Sequence, residues 1–361
     1  MTAGRWRRGA LRLAKLTLWG GAVIKLAVVG AGHWGPNLIN NLYTHKDAWI
    51  SWVADANPNR LETVADRFPG VQTTEDAMAA IEADDVDAVL IATPTSTHFE
   101  FASKALEAGK HVLVEKPLAA TVDEAEKLCE MAAKTGNVLM VGHIFVYNEA
   151  SRKAKEYISE GDLGRVYYIS MERTNLGPIR VDVNAAWDLA AHDISLASYW
   201  LNSDPVTASA VGGAWINRGV EDAVFSTLRY PGDVLVHLHA SWLNPKKSRG
   251  ITVVGERRML TFDDINMNEP IRVYDKKVRD ERTDMPFVDT FASFRMSVRD
   301  GDIVIPKVPM GEPLKAEINH FLECIENNSR PLSAGAEGLA VVKTLEAINR
   351  SLADGGREIQ V

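Results

Sequence analysis

Residues 24–35 read IKLAVVGAGHWG, and this stretch decides the fold. An apolar run, residues 24–29, leads directly into a G-x-G-x-x-G pattern, and a helical pattern begins near its end. In such a turn the first glycine permits a tight bend, the second lets the backbone approach a pyrophosphate, and the third allows close helix packing. The stretch therefore predicts a Rossmann dinucleotide site that includes Gly30, Gly32, His33, Trp34 and Gly35.

Asp55 lies twenty residues beyond Gly35, at the end of the second predicted strand. An acidic side chain at this place can accept hydrogen bonds from both ribose hydroxyls of a dinucleotide, and it would repel a 2′-phosphate. No arginine follows it immediately, although Arg60 is close in sequence and leaves NADP open. The pattern favours NAD as the cofactor.

Strands and helices alternate through the first part of the chain. Strand patterns occur near 49–54, 86–91, 111–114 and 138–141, and helical patterns near 96–108 and 122–134 lie between them. This alternation is typical of an α/β fold with a doubly wound parallel sheet and right-handed crossovers. We expect a Rossmann domain over residues 24–146.

The pattern changes after about Tyr147. Alternating strand-like runs appear at 166–172, 223–230, 234–242 and 250–254, and helical stretches near 313–327 and 336–353 close the chain. Such runs are typical of a largely antiparallel sheet. We expect an α+β domain over residues 147–361 with an open-faced sheet.

Residues 1–23 are basic and contain no acidic residue. Their apolar part, residues 16–23, is interrupted by Thr17 and Gly20-Gly21 and is too short to span a bilayer. We expect a disordered leader, with a membrane-surface helix or an export signal as the alternative.

Composition narrows the class of function. The chain has 361 residues, 46% hydrophobic and 24% charged, with a net charge of −8. This charge disfavours nucleic acid as a general partner. The two cysteines, Cys129 and Cys324, form neither a disulfide framework nor a metal-binding pattern, and His237 and His239 lack further ligands, so we expect no metal. A cytoplasmic protein without a membrane span is expected.

Two later motifs carry a family resemblance: Thr93-Pro94 with His98, and Glu115-Lys116-Pro117. Together with the glycine turn they resemble the glucose-fructose oxidoreductase, inositol dehydrogenase and MocA family (Gfo/Idh/MocA), from Ile24 to the C-terminus. The resemblance implies that Thr93, Pro94, His98, Glu115 and Lys116 lie at the cofactor. It also implies that the second domain supplies substrate contacts and the interfaces of a homodimer or homotetramer.

Lys116 follows a predicted parallel strand at its carboxyl end, the edge where doubly wound sheets bind ligands. A lysine there can hydrogen-bond a substrate hydroxyl and, if a crevice lowers its pKa, relay a proton. On position alone, a surface lysine is an equal alternative. The resemblance favours a catalytic role and implies a cis Lys116-Pro117 bond.

Asp188 and His192 are four residues apart, a spacing that places both on one face of a helix. Histidine titrates near neutral pH and can take the proton of an alcohol as hydride leaves, while a neighbouring carboxylate fixes its tautomer. On spacing alone a structural pair is more common. The resemblance implies an aspartate and a general-base histidine that face Lys116.

Three runs are similar to one branch of the family, the UDP-N-acetylglucosaminuronate 3-dehydrogenases: GAGHWGPN at 30–37, GHIFVYN at 142–148 and RTNLGPIR at 173–180. This similarity implies a sugar pocket lined by Tyr147, Asn148, Asn175, Arg180 and His192, with Arg180 suited to a carboxylate. Solvated loop residues are the alternative. The basic cluster Lys246, Lys247 and Arg249 is either a diphosphate site or a solvated surface.

These observations predict an NAD-dependent oxidoreductase that acts on a hydroxyl-bearing carbon of a sugar or nucleotide-linked sugar. A 2-oxo acid is a possible second substrate that recycles NADH. One alternative is a redox-neutral NAD-dependent glycosidase, because oxidation at C3 acidifies the adjacent C–H and permits elimination. A polyol or inositol dehydrogenase and a non-catalytic nucleotide sensor are the others.

Overall fold

The computed structural model describes residues 23–278 and 298–361. The chain divides into two compact units, the first formed by residues up to Tyr147 together with Glu312–Val342, and the second by Asn148–Gly311 with Lys343–Val361. The expected boundary near residue 147 coincides with the first division. A second domain running without interruption to residue 361 is wrong, because residues 312–342 return to the first unit. The expectation for residues 1–23 lies outside the described residues, apart from its last residue.

The first unit contains a six-stranded parallel sheet in the order β3-β2-β1-β4-β5-β6. Its strands are β1 (Ile24–Val29), β2 (Ala48–Ala54), β3 (Gln72–Thr74), β4 (Ala88–Ile91), β5 (His111–Glu115) and β6 (Leu139–Gly142). This order confirms the predicted Rossmann sheet. Successive strands are added on one side of β1 up to β3 and on its other side from β4 onward, so β1 has β2 and β4 as neighbours. Ligands bind at the carboxyl ends of the strands beside such a switch point.

Five helices connect these strands: α1 (Gly35–Thr44), α2 (Pro58–Arg67), α3 (Ala77–Ile81), α4 (His98–Glu107) and α5 (Val122–Thr135). Their ends follow local chemistry. The side chain of Asn57 accepts a hydrogen bond from the Asn59 amide at the start of α2, and Gly136 ends α5 at a φ of 73°. The central strands are apolar throughout because helices cover both faces of the sheet, and Val28, Leu90 and Val114 are fully buried.

The second unit contains a nine-stranded sheet in the order β14-β13-β12-β11-β7-β10-β9-β8-β15. Its strands are β7 (Val166–Leu176), β8 (Thr207–Gly213), β9 (Ala223–Tyr230), β10 (Val234–Ser241), β11 (Leu243–Gly255), β12 (Met259–Asp263), β13 (Ile271–Val278), β14 (Val298–Val304) and β15 (Ile359–Gln360). Of these neighbours only β7 and β10 pair in parallel. The sheet is therefore mixed and mostly antiparallel, as expected.

One face of this sheet is covered and the other is open. Along β10, Val236, Leu238 and Ala240 are buried, whereas the intervening Leu235 and His237 are exposed. This alternation is that of a sheet with one solvated face.

The second unit also contains helix α6 (Glu149–Ser159), a π-helical turn (Ala186–Ala190) and helix α7 (Ala191–Leu201), which continues from that turn. The predicted helix through residues 188 and 192 is present, but it opens with the wider turn. The Asn184 side chain accepts a hydrogen bond from the Trp187 amide at its beginning.

Two helices follow near the C-terminus, α8 (Pro313–Asn327) and α9 (Gly335–Ala353). Helix α8 packs against α1 and against the turn Ile144–Tyr147, and this explains why its segment belongs to the first unit. The link to α9 also pairs with that unit, since the Val141 amide donates to the Ser333 carbonyl at 2.8 Å. Within the described residues, no helix combines the length and apolarity needed to cross a bilayer.

Candidate functional site

The glycine turn after β1 has the geometry of a nucleotide cradle. Gly30 has a φ of 99°, and a Cβ there would lie 2.6 Å from the Ala92 carbonyl oxygen. A Cβ on Gly35 would lie 2.1 Å from the Gly30 carbonyl oxygen. At Gly32 the nearest atom to a Cβ is the Arg60 guanidinium at 3.4 Å. The first and third glycines are therefore required by the fold, and the second leaves open backbone where a pyrophosphate fits.

Asp55, at the end of β2, is held over this turn. Its carboxylate accepts hydrogen bonds from the Ala31 amide at 2.7 Å and the Asn57 amide at 2.8 Å. Arg60 Nη1 lies 3.3 Å from the same carboxylate. Both amides fix its orientation toward the glycine turn, as a ribose-binding acid requires. Arg60 is engaged by Asp55, so it does not stand as an independent 2′-phosphate site.

The second motif, Thr93-Pro94 with His98, follows β4, the strand that neighbours β1 in the sheet. His98 is 1% exposed, and its ring nitrogens lie 2.8 Å from the Pro117 carbonyl and 3.0 Å from the Thr93 carbonyl. Burial lowers the pKa of His98, and the hydrogen bonds to the two carbonyls oppose that shift. Thr93 is half-buried, while Pro94 and His33 are exposed. His98 therefore positions the strand ends, rather than presenting its ring at a surface that a cofactor can reach.

Glu115 and Lys116 follow at the carboxyl end of β5, and the Lys116-Pro117 bond is cis, as the resemblance implied. The Glu115 carboxyl accepts hydrogen bonds from the Trp34 side chain and the Lys116 amide. Burial raises the pKa of Glu115 to about 7, and the Lys116 charge opposes that rise. Trp34, at the end of the glycine turn, is thereby tied to the lysine strand.

In the second unit, Asp188 occupies the π-helical turn. Its carboxylate accepts a hydrogen bond from Trp242 Nε1 at 3.1 Å and contacts Arg180 Nη1 at 3.4 Å. Trp242 follows β10 and is 1% exposed. His192 lies one turn further on, in α7, and is half-buried with its Nδ1 atom inside. The two predicted residues therefore stand on one continuous helical segment.

Arg180 is bound by two carboxylates, because it also donates to Asp182 at 3.0 Å and, through Nη2, at 2.5 Å. The hydrogen bonds to Asp182 raise the pKa of Arg180 and lower that of Asp182. Its side chain is 36% exposed. The guanidinium is thus a fixed cation on the same surface as Asp188.

Other predicted sugar-pocket residues have structural partners. Tyr147 is fully buried in the first unit, and its hydroxyl lies 2.9 Å from Ser333 Oγ. Asn148 caps α6 by accepting hydrogen bonds from the Ala150 and Ser151 amides. These contacts place Tyr147 in a core and Asn148 at a helix terminus.

Asn175 lies on the same strand as a buried ion pair. Its Oδ1 accepts a hydrogen bond from Arg249 Nη2 at 3.1 Å, and Arg249 Nη1 donates to the Thr174 carbonyl. Arg173, two residues earlier, donates to Asp193 Oδ1 at 2.7 Å, and both side chains are nearly inaccessible. The expected basic cluster is divided, since Lys246 and Lys247 are exposed whereas Arg249 is turned inward.

Sequence reasoning missed several polar groups that the structure buries: His143, Trp242, Asp193 and Glu317. Only Glu317 had a readable signal, because it interrupts the apolar stripe of α8 formed by Leu314, Ile318 and Phe321. In the described part of the chain, no group of three or more potential ligands is arranged to hold a metal. His239 instead stacks on Phe225 with ring centroids 4.4 Å apart.

Comparison with known proteins matches both parts of the chain to one family. Residues 24–143 match the Gfo/Idh/MocA oxidoreductase family with its NAD-binding Rossmann fold, and residues 151–261 match the Gfo/Idh/MocA C-terminal domain. The glycine cradle and Asp55 described above fit that cofactor.

Among individual proteins, UDP-N-acetylglucosamine 3-dehydrogenase of Acidithiobacillus ferrooxidans is 30% identical over 75% of this chain and 86% of its own length. A solved structure of that enzyme has a TM-score of 0.75 at 27% identity, covering 91% of this chain and 98% of its own. Inositol 2-dehydrogenase of Rhizobium meliloti is 25% identical over 92% of this chain and 97% of its own. The chain is similar to dehydrogenases of a nucleotide sugar and of a cyclic polyol.

Proposed function

The chain belongs to the Gfo/Idh/MocA family of NAD-dependent oxidoreductases that act on CH–OH groups of sugars or nucleotide-linked sugars, and on this premise we propose that its substrate is a UDP-linked N-acetylhexosamine or the corresponding uronate, oxidised at C3. The similarity to UDP-N-acetylglucosamine 3-dehydrogenase supports the nucleotide-sugar class. A uronate carboxylate at Arg180 would have to replace Asp182 on the guanidinium, because the planar fork already donates to both oxygens of that carboxylate.

The observation that carries the proposal is the placement of Lys116. It follows β5 at the carboxyl edge of the NAD-binding sheet, directly after Glu115 and before the cis proline. Ligands of doubly wound sheets bind along this edge. Lys116 is therefore assigned to the reacting hydroxyl, to which its ammonium donates a hydrogen bond.

Oxidation of an alcohol requires that the hydroxyl proton and the carbon-bound hydride leave together. NAD, when bound, supplies the hydride acceptor. We assign the proton to His192, a half-buried histidine, acting as general base. Asp188 is assigned to hold the helical segment that carries His192 in place, since Trp242 and Arg180 fix the Asp188 carboxylate. Lys116 lowers the energy of the developing alkoxide through its charge.

We place the substrate's polar groups on Arg180 and Asn175, with Asn148 adjacent to the same surface through its Nδ2 contact with Asp264 at 3.3 Å. Arg249 keeps Asn175 oriented. Lys246 and Lys247 are exposed and suit a diphosphate by charge alone.

The test is the appearance of reduced-nicotinamide absorbance when the purified protein with NAD is offered UDP-N-acetylglucosamine, its uronate, other UDP- and dTDP-sugars, and free polyols. A signal restricted to the UDP-N-acetylhexosamines or their uronates supports the proposal. A signal with inositol alone retains the family and overturns the substrate class. With the uronate, formation of oxidised sugar and 2-hydroxy acid without net NADH after a 2-oxo acid is added indicates recycling of NADH on the protein. Free sugar released without net NADH indicates the glycosidase.

Two variants test the roles assigned to His192 and Lys116. His192→Ala should lower kcat/KM by about 100- to 10,000-fold, the usual contribution of general acid–base catalysis, with NAD binding retained. Lys116→Met should also abolish most turnover. Lys134→Met, at an exposed lysine of the same unit, is the matched control and should leave turnover unchanged. Near-native turnover of His192→Ala would show that another group removes the proton.

We also propose that the protein forms a homodimer or homotetramer through the open face of the second sheet. Tyr168 and Leu235 are register partners on β7 and β10, and both are exposed, as is Phe225 on β9. Exposed apolar side chains on neighbouring strands are typical of an interface. A second copy of the chain would cover them on the isologous pattern of a twofold dimer.

A further inference from the structure

Helix α8 buries an acidic residue on its apolar face. Glu317 is 1% exposed and lies in the same stripe as Leu314, Ile318 and Phe321. Its Oε1 atom is inaccessible and has no hydrogen-bond partner among the described residues. An ionised carboxylate in such a place is strongly disfavoured unless it is paired, so the neutral acid is the favoured form.

The neighbours of Glu317 come from the site already described. Helix α8 packs against α1, which follows Trp34, and against the turn Ile144–Tyr147. The titratable groups that face it are Glu115, whose charge acts on Glu317, and Tyr147, which feels the charge of Glu317 in turn. The charge of Lys116 acts on Glu115 and on His143.

Glu115 is placed to hold the negative charge. Its Oε2 lies 2.9 Å from the position that a Cβ on Gly142 would take, so its carboxyl packs directly against the next strand, β6. The Trp34 side chain and the Lys116 amide donate to it. For the Glu317 Oε1 atom, the described residues provide no such donor. Donors and a nearby cation stabilise the ionised form of a carboxyl, and their absence favours the protonated form.

Two neighbouring buried carboxyls do not readily both ionise. Burial and the Glu115 charge raise the pKa of Glu317 well above its ordinary value, while the Lys116 charge opposes the rise at Glu115. His143 is buried and its pKa falls to about 3, so it adds no positive charge. Of the two carboxyls, Glu115 is therefore the one that ionises first as the pH rises, and the Lys116 charge favours that ionisation.

We propose that Glu317 is a positioning residue that remains protonated, so that Glu115 alone carries the negative charge that orients the Lys116 ammonium toward the substrate. This inference rests on the proposed function only for the role of Lys116. The protonation of Glu317 is a property of the protein without substrate.

The first measurement is infrared absorption of the purified full-length protein at neutral pH. A protonated carboxylic acid has a carbonyl stretch distinct from the bands of a carboxylate, and Glu317→Gln should remove one such band. Glu323→Gln, an exposed glutamate on the same helix, should not. An unchanged acid band in Glu317→Gln would overturn the proposal.

The second measurement identifies the coupling to Glu115. In Glu115→Gln the neighbouring negative charge is gone, so the pKa of Glu317 should fall and its acid band should disappear at a lower pH than in the wild type. An acid band that titrates identically in both proteins would show that the two carboxyls do not interact. This comparison decides the question even if Glu317→Gln does not fold.

Turnover then tests the positioning role. Glu317→Gln imitates the protonated acid and should retain most of the wild-type kcat/KM, whereas Glu317→Ala should lose it mainly in kcat. Equal losses in two folded variants would overturn the role. If no substrate gives NADH, the proposed function fails, but both infrared comparisons still decide whether Glu317 holds the proton.

Discussion

Trp242 Nε1 donates a hydrogen bond to Asp188 Oδ2 at 3.1 Å, across 54 residues of sequence. The indole is 1% exposed, so this contact fixes the carboxylate from the interior of the second unit. The π-helical turn that carries Asp188 leads directly into the helix that carries His192. An aromatic side chain with no chemistry of its own therefore fixes the orientation of a residue assigned to catalysis.

Trp242→Phe should lower kcat by about tenfold, equivalent to about 1.4 kcal/mol, because the carboxylate loses a donor and moves. Steady-state kinetics with NAD and the substrate identified by the panel measure this. Trp52→Phe is the control, since Trp52 makes the same kind of bond to Asp85 at 3.0 Å in the first unit. Equal kcat values for the two variants would contradict the role of Trp242.

Gly32→Ala should separate cofactor binding from folding. Its Cβ would meet no atom closer than 3.4 Å, so the melting temperature should stay near that of the wild type. The methyl group would occupy the pyrophosphate position and raise the Kd for NAD at least about tenfold, or about 1.4 kcal/mol. Gly35→Ala, whose Cβ would lie 2.1 Å from the Gly30 carbonyl oxygen, should instead destabilise the fold by about 1–3 kcal/mol. Calorimetry of folding and of NAD binding distinguishes these effects.

Arg173→Met should destabilise the second unit by about 3–5 kcal/mol, because it leaves the buried Asp193 carboxylate without its cation. Arg272→Met is the matched control, as the Arg272–Glu269 pair is exposed and should contribute little. Urea unfolding measures both. Similar midpoints for the two variants would show that Asp193 finds another partner or becomes protonated.

The variant His143→Asn should lose less stability than the wild type as the pH falls. Burial lowers the pKa of His143 to about 3, so the folded protein does not bind the proton that the unfolded chain binds below about 6.5. The contribution of this residue to stability therefore decreases as the pH falls from about 6.5 to 3. Urea unfolding across that range should show a smaller decrease in the variant, and parallel curves would contradict the assignment.

Leu235→Glu should reduce the oligomeric state in solution. The substitution places a charge on the open sheet face next to Tyr168, where a second copy is proposed to pack. Light scattering coupled to size-exclusion chromatography measures the mass. Met310→Glu, at a side chain 85% exposed away from that face's strands, should leave the mass unchanged. An unchanged assembly in Leu235→Glu would exclude this face as the interface.

The sequence predicted the parallel Rossmann sheet because its strands, turns and helices alternate in a pattern that is visible locally along the chain. Strand β3 escaped prediction because its three residues, Gln72–Thr74, are polar and half-buried. The π-helical turn also escaped, since one widened turn leaves the apolar spacing nearly unchanged. Residue types in isolation did not show that Tyr147 is a core residue or that Asn148 caps a helix.

The hydrogen-bond partners of the predicted site residues could not be predicted from the sequence, for a different reason. Asp188 contacts Trp242, and Asn175 contacts Arg249, through strand pairings formed by residues far apart in sequence. The helical spacing of apolar residues in α8 does not indicate which of the two units the helix belongs to. Such contacts depend on tertiary packing, which local propensity does not encode.

The pairing of residues near 333 with β6 has a consequence for synthesis on the ribosome. Ser333 accepts from the Val141 amide and donates through its hydroxyl to the Val141 carbonyl at 2.7 Å, and Ala334 forms a bridge with Met140. A nascent chain has made all six Rossmann strands long before these residues emerge. Until then the edge of β6 lacks its covering segment, and uncovered edges promote association between chains. Fragments that end near residue 147 should therefore aggregate, and the last quarter of the chain should be needed to complete the nucleotide-binding unit.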